Sequence, residues 1–179
     1  MKEFFLLFLI AIGLSMDAFS LSLGFGTLNM NSKQIIRTSI SVGIFHFLMP
    51  LIGLSIGSYL IEILKLNSNF IMGIILLFIS LEMLIELLQK KETKLTKSFM
   101  GLILFSFSVS LDAFSTGIGL EAITNNYILS SFIFSIVSFS FTFLGLLLGK
   151  YSIKYLGKYA QIIGIILLFA IAIVNLCQI

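Results

Sequence analysis

The sequence predicts an all-α membrane protein, six transmembrane helices arranged as two inverted three-helix repeats. Three observations predict it. Hydrophobic residues make up 59% of the 179 and charged residues only 11%, too few charges to cover a water-soluble surface. Six apolar runs, each of about membrane-spanning length, follow one another with short polar punctuation. An acidic motif in the first run recurs in the fourth.

The first run covers about 4–25. Its start, Lys2 followed by apolar residues, has the look of a secretory leader, but Asp17 interrupts it and no small-x-small cleavage site follows. The second run, about 37–61, holds His46 and Pro50, and the third, about 70–88, holds Glu82 and Glu86. The fourth, about 98–122, holds Asp112 and ends near Glu121, which reads as an interfacial acid. The fifth and sixth cover about 128–149 and 159–177. No connection is long, so one transmembrane domain over 1–179 is expected, with repeat 1 at about 1–89 and repeat 2 at about 97–179. Tyr59, Tyr127, Tyr151, Tyr155 and Tyr159 fall near run ends and would form the aromatic belt in a chain without Trp.

Orientation follows from the basic residues. Nine of the eleven lie in or beside three connections: Lys33 and Arg37; Lys90, Lys91, Lys94 and Lys97; Lys150, Lys154 and Lys158. Lys2 and Lys65 fall on the other side. The positive-inside rule places the nine in the cytoplasm and both termini outside.

The repeat is read residue by residue. Ser15-Met16-Asp17-Ala18-Phe19-Ser20 matches Ser110-Leu111-Asp112-Ala113-Phe114-Ser115. His46, Pro50, Gly53 and Gly57 are answered by Ser138, Thr142, Gly145 and Gly149, and Gly73 to Phe78 by Gly164 to Phe169. Three spans per unit, an odd number, make the second unit enter the membrane from the opposite side.

An acid at membrane depth costs about 2.5–3.5 kcal/mol on insertion scales, so Asp17 and Asp112 are expected to face the bundle interior. Each sits in a stripe of small residues: Gly13, Asp17, Ser20 and Gly24 on the first helix, Ser108, Asp112, Ser115 and Gly119 on the fourth. The simplest arrangement packs these stripes together and brings the carboxylates close. Two such carboxylates must share a proton or hold a cation, and a divalent cation balances both. The bland alternative gives each Asp only an interhelical hydrogen bond. Pro50 frees the carbonyl of His46 for a cation, a water or a hydroxyl. The His46 imidazole is either a ligand or a packing group. Glu82 and Glu86 share a face of the third helix, with no acid at the matching Ile173 and Cys177. They lead a cation in or out, or are simply solvated. Cys177 stands alone, so neither a disulfide nor a cysteine metal cluster is expected.

No nucleotide loop, dinucleotide fingerprint, HExxH or nucleophile elbow is present. The expectations are no enzyme activity, no cofactor, no nucleic acid and no obligatory protein partner. The partners would be membrane lipid and a cation, driven by an ion gradient or the membrane potential.

Gly13-Leu14-Ser15-Met16-Asp17-Ala18-Phe19-Ser20 with Gly24 and Gly26, the run Val42 to Gly53 through His46 and Pro50, and Ser110 to Ser115 with Gly117 and Gly119 together resemble the MntP family of manganese efflux pumps, relatives of the LysE-type exporters. The likeness covers essentially the whole chain. It implies export of Mn²⁺ across a bacterial cell membrane, with Asp17 and Asp112 important for transport. Glu86 matches an acid often found in the third helix, and the family position of His46 is typically polar. The metal set expected is thus Asp17, Asp112, His46 and Glu86, with Ser20 and Ser115 as further oxygen donors. Mn²⁺ would be cargo, exchanged for protons as the two repeats rock. A sporulation or envelope protein that does not transport, and an exporter of a cationic amino acid or another divalent metal, stay open.

Overall fold

The computed structural model describes residues 2–28, 30–64, 68–89, 99–120, 123–151 and 155–177, without the side chains at 2, 60–64, 68, 82, 86, 89, 155–158 and 160. All elements in it are helices: α1 (Lys2–Gly26), α2 (Ser32–Leu64), α3 (Ser68–Gln89), α4 (Phe99–Val109), α5 (Leu111–Ile118), α6 (Tyr127–Lys150) and α7 (Tyr155–Leu176). Four stretches are long and apolar enough to cross a membrane: Glu3–Gly26, Ser32–Tyr59, Phe99–Ile118 and Tyr127–Lys150. Shorter apolar helices run over Asn69–Ile85 and Gln161–Leu176. Lys65, Lys90, Lys91, Lys94, Lys97, Lys154 and Glu121 lie outside the described residues, as do the side chains of Lys2, Lys158 and Tyr155.

Local chemistry explains the ends. Ahead of α2, Asn31 Oδ1 accepts from the Gln34 backbone N–H at 2.8 Å, and Gln34 Oε1 accepts from the Asn31 N–H at 3.0 Å. This reciprocal capping box starts α2 about five residues earlier than the apolar pattern indicates. Its 33 residues would extend about 50 Å at 1.5 Å per residue, beyond a hydrocarbon core of about 30 Å. Asn126 caps α6 by accepting from Leu129 N–H at 3.3 Å. Along α2, Ile36, Ile40, Ile44, Leu48, Ile52 and Ile56 recur every four residues and are all exposed, an unbroken apolar stripe of the kind lipid covers. Tyr59, Tyr151 and Tyr159 are exposed near helix ends, where a belt belongs.

Two departures from the expected arrangement matter. The fourth span is not one helix: a turn at Ser110 divides it into α4 and α5. The acidic stripes also do not pack on each other. Helix α1 runs along α6 and α7, α5 runs against α2, and α1 only brushes α4. Gly13 faces Leu167 and Leu168 of α7, Gly119 faces Met72 of α3, and Gly24 faces open space. The close approaches lie elsewhere. A Cβ at Gly53 or Gly57 on α2 would strike the carbonyl oxygens of Phe114 or Ile118 on α5. A Cβ at Gly149 on α6 would strike Leu23 O on α1, and one at Gly145 would lie 2.7 Å from Phe19 O. Small residues allow backbones to meet, but each acidic helix uses them on the second helix of the other half of the chain.

Side chains added at these positions must push backbone aside. Gly57→Ala and Gly149→Ala are expected to lower the thermal unfolding midpoint of the detergent-solubilised protein, through overpacking worth about 1–3 kcal/mol. Gly24→Ala, which meets nothing within 4 Å, should leave the midpoint unchanged or raise it. Equal melting of all three would contradict the packing described.

Candidate cation site

Helix α1 carries Asp17 into the interior, where the residue is 6% exposed. Its neighbours explain the depth: Leu14 and Ala18 are both buried in the apolar core. Two residues before it, Ser15 Oγ lies 2.9 Å from Ser138 Oγ of α6. This pair, fully buried on the α1 side, ties the acidic stretch of α1 to α6.

Asp112 enters differently. The break at Ser110 puts it in the first turn of α5, half-buried, with its backbone carbonyl accepting from Thr116 Oγ1 at 2.9 Å. The break has its own network. Ser110 N–H donates to Phe107 O at 3.0 Å, a tighter turn than the α-helical bond. Ser110 Oγ lies 2.8 Å from Ser106 O and 2.8 Å from His46 Nδ1. His46 is 1% exposed, and its Nδ1 is also 3.1 Å from Val42 O one turn back on α2. Its other nitrogen, Nε2, is buried with no hydrogen-bond partner among the described residues.

One small apolar cluster sets the three elements at a common level. Ala18 of α1, Val42 of α2 and Val109 of α4 pack together, with Leu21 and Phe105 against them. These residues adjoin Asp17, lie one turn from His46 and adjoin Ser110, respectively. The first acidic helix lies on α6 and α7, the second on α2, and the two come near each other where α1 brushes α4. Pro50 supports the same region: it stays inside an unbroken α2, and Gly117 of α5 sits against its Cα and carbonyl.

Not every expected ligand joins. Among the described residues no three of the His, Cys, Asp and Glu side chains gather into a group that could hold a metal. Ser20 and Ser115 are half-buried, and Ser108 is exposed. The side chains of Glu82 and Glu86 lie outside the described residues; their backbones belong to α3, which packs on α7 and touches α5. Sequence reasoning missed the Ser15–Ser138 and Ser110–His46 links, although both serines were visible as the first residue of the repeated motif. It also missed Ser22 and Ser131, the burial of the Thr142 hydroxyl, and Gln161, whose Nε2 donates to Met83 O across α7 and α3 at 3.3 Å. The hydroxyl oxygens of Ser22, Ser131 and Thr142 are buried with no hydrogen-bond partner among the described residues. Polar residues of an apolar helix show depth only when the partner helix is known.

The family described as "Putative manganese efflux pump" matches residues 29–176. Proteins carrying the same description are similar over nearly the full length. That of Bacillus pumilus is 38% identical over 176 residues, covering 96% of this chain and 94% of its own. That of Geobacillus thermodenitrificans is 34% identical over 172 residues, covering 94% of each. That of Halalkalibacterium halodurans is 35% identical over 164 residues, covering 91% of each. No solved structure matches the chain. With helices long and apolar enough to cross a membrane several times, and with matches of this length to a transporter family rather than an enzyme family, this chain is a multi-pass membrane protein that belongs to the MntP family.

Proposed function

We propose that this protein exports Mn²⁺ from the cytoplasm, binding the ion between the Asp17 and Asp112 carboxylates at the level where α1, α2 and α4 meet. The observation that supports the reading is that Asp17 is buried beside Ala18 and Asp112 follows the helix break after Val109, Ala18 and Val109 sharing one cluster, in a family named for manganese efflux. Two carboxylates neutralise a divalent cation, and carboxylate, carbonyl and water oxygens suit Mn²⁺. The His46 imidazole is a further ligand, and Glu86 of α3 draws the ion in from the cytoplasmic side. Since the described His, Cys, Asp and Glu residues form no ready-made metal group, the ligands draw together as the ion arrives.

Six spans in two inverted repeats would supply the conformational change. The packing supports this plan. Gly53 meets Phe114 O as Gly145 meets Phe19 O, and Gly57 meets Ile118 O as Gly149 meets Leu23 O. In the repeat alignment Phe19 corresponds to Phe114, Leu23 to Ile118, Gly53 to Gly145 and Gly57 to Gly149. The hydrogen bonds follow suit: Ser110 meets His46, and Ser15 meets Ser138, at corresponding positions. Such paired contacts are what a pseudo-two-fold axis produces. Alternating access then moves one pair of helices against the other. Protons entering from outside displace the ion from the carboxylates, so efflux is coupled to proton influx. The basic connections face the cytoplasm and both termini face outward in the bacterial cell membrane.

Asp17→Asn and Asp112→Asn keep side-chain size and lose charge. Removing one partner of a buried charge pair costs about 3–5 kcal/mol, which is roughly a hundredfold or more in affinity. Each variant, present in the membrane at the normal level, should fail to restore manganese tolerance to a strain lacking its exporter. Full rescue by the double variant would sink the site.

The coupling is checked in inside-out vesicles, whose lumen corresponds to the cell exterior. Mn²⁺ accumulation should need an acidic lumen and collapse when the pH gradient is dissipated. Accumulation that ignores the gradient would remove proton exchange while leaving manganese export standing.

A further inference from the structure

The network around His46 fixes where its proton sits. Ser106 O and Val42 O can only accept hydrogen bonds. Ser110 has one hydroxyl hydrogen, and its Oγ is 2.8 Å from Ser106 O, so that hydrogen is committed there. What Ser110 presents to His46 Nδ1, 2.8 Å away, is therefore a lone pair. Val42 O, 3.1 Å from the same nitrogen, presents another. Two acceptors facing Nδ1 require a proton on it. In the neutral ring Nε2 is then a bare lone pair. It is buried, and no hydrogen-bond donor reaches it among the described residues.

A buried acceptor left unmet costs about 1–3 kcal/mol. The other tautomer is no remedy: it would set the Nδ1 lone pair against two oxygens and bury an unmet N–H. A cation at Nε2 resolves the deficit. Nδ1–H held by an oxygen is the arrangement by which proteins orient an imidazole for a metal. The corresponding position in the second repeat is Ser138, whose hydroxyl meets that of Ser15. Only one half of the molecule therefore brings nitrogen.

Resting on the cation-site reading above, we propose that Ser110 is a positioning residue that locks His46 as the Nδ1–H tautomer, and that the freed Nε2 is the ligand atom that lets the site reject Mg²⁺ and Ca²⁺. Those ions are hard and take oxygen ligands. First-row transition cations accept imidazole nitrogen, with affinities rising from Mn²⁺. The carboxylates alone would hold any divalent cation. The single nitrogen discriminates against the two hard cations without choosing among the transition metals.

His46 is the chain's one histidine, so ¹⁵N-histidine labelling of the full-length protein in nanodiscs reports this ring alone. The metal-free protein should show a protonated Nδ1 and an unprotonated Nε2. Cd²⁺, a diamagnetic probe, should shift Nε2 strongly and Nδ1 little, and Mg²⁺ should shift neither. Ser110→Ala, which leaves Val42 O as the one acceptor at Nδ1, should admit a detectable share of the Nε2–H tautomer, and Ser110→Thr, which restores the hydroxyl, should remove it. A metal-free ring protonated on Nε2, or an Nε2 signal unmoved by saturating Cd²⁺, overturns the proposal. In transport, His46→Gln exchanges nitrogen for an amide oxygen. Inhibition of Mn²⁺ uptake by Mg²⁺ should then set in at a concentration at least tenfold lower than for the unmodified protein. Unchanged discrimination overturns the proposal while leaving manganese export intact. Absence of Mn²⁺ transport by the unmodified protein refutes the export reading instead, and the labelled ring still decides the ligand.

Discussion

Backbone contact between helices is the constraint on which everything else depends. Lipid is as apolar as leucine, so helices gain little by hiding apolar side chains from it, and close packing must hold them together. Here that packing is built from glycine. Gly53 and Gly57 bring α2 onto the carbonyl row of α5, and Gly145 and Gly149 bring α6 onto that of α1. Both acidic helices are thereby fastened along their length. Their aspartates are held at a fixed depth by main chain rather than by flexible side chains. The apolar stripe Ile36 to Ile56 on the outer face of α2 is the complement: large residues face outward because small ones are needed inside.

That arrangement explains what the sequence could and could not reveal. Apolar runs gave α1 and α6 to within about two residues and α2 to within about five, because length and hydropathy alone decide whether a segment can cross, while the cap at Asn31 sets where α2 starts. The repeat gave Asp17 and Asp112, since an acid with identical neighbours in an apolar chain stands out from its background. The partners of the helices were harder. A small-residue stripe announces close approach without naming the surface approached, and the acidic stripes were paired with each other when their helices lie on α6 and α2. The break at Ser110 gave no warning either. Neither glycine nor proline marks it, and its backbone angles, φ −99° and ψ 1°, are open to any residue. Hydrogen bonds to Ser106 and His46 stabilise it, and the second of these belongs to another helix.

The two halves of the chain are alike in packing and unlike in chemistry. Glycines meet carbonyls at corresponding positions in both. Yet α1 is linked to α6 of the other half by two hydroxyls, and the Ser110 turn is linked to α2 of the other half by a hydroxyl and an imidazole. Helix α1 passes through its aspartate unbroken, whereas the fourth span turns just before its own.

The turn at Ser110 also changes the electric field around the site. Peptide dipoles add along a helix to about half an elementary charge at each end, positive at the start and negative at the finish. Helix α4 ends three residues before Asp112 and α5 begins one residue before it, so the negative end of one dipole and the positive end of the other meet near that carboxylate. Asp17, in the middle of a 25-residue helix, has neither end nearby. Two aspartates in matching sequence surroundings thus stand in different backbone settings, one beside two opposed helix ends and the other beside none.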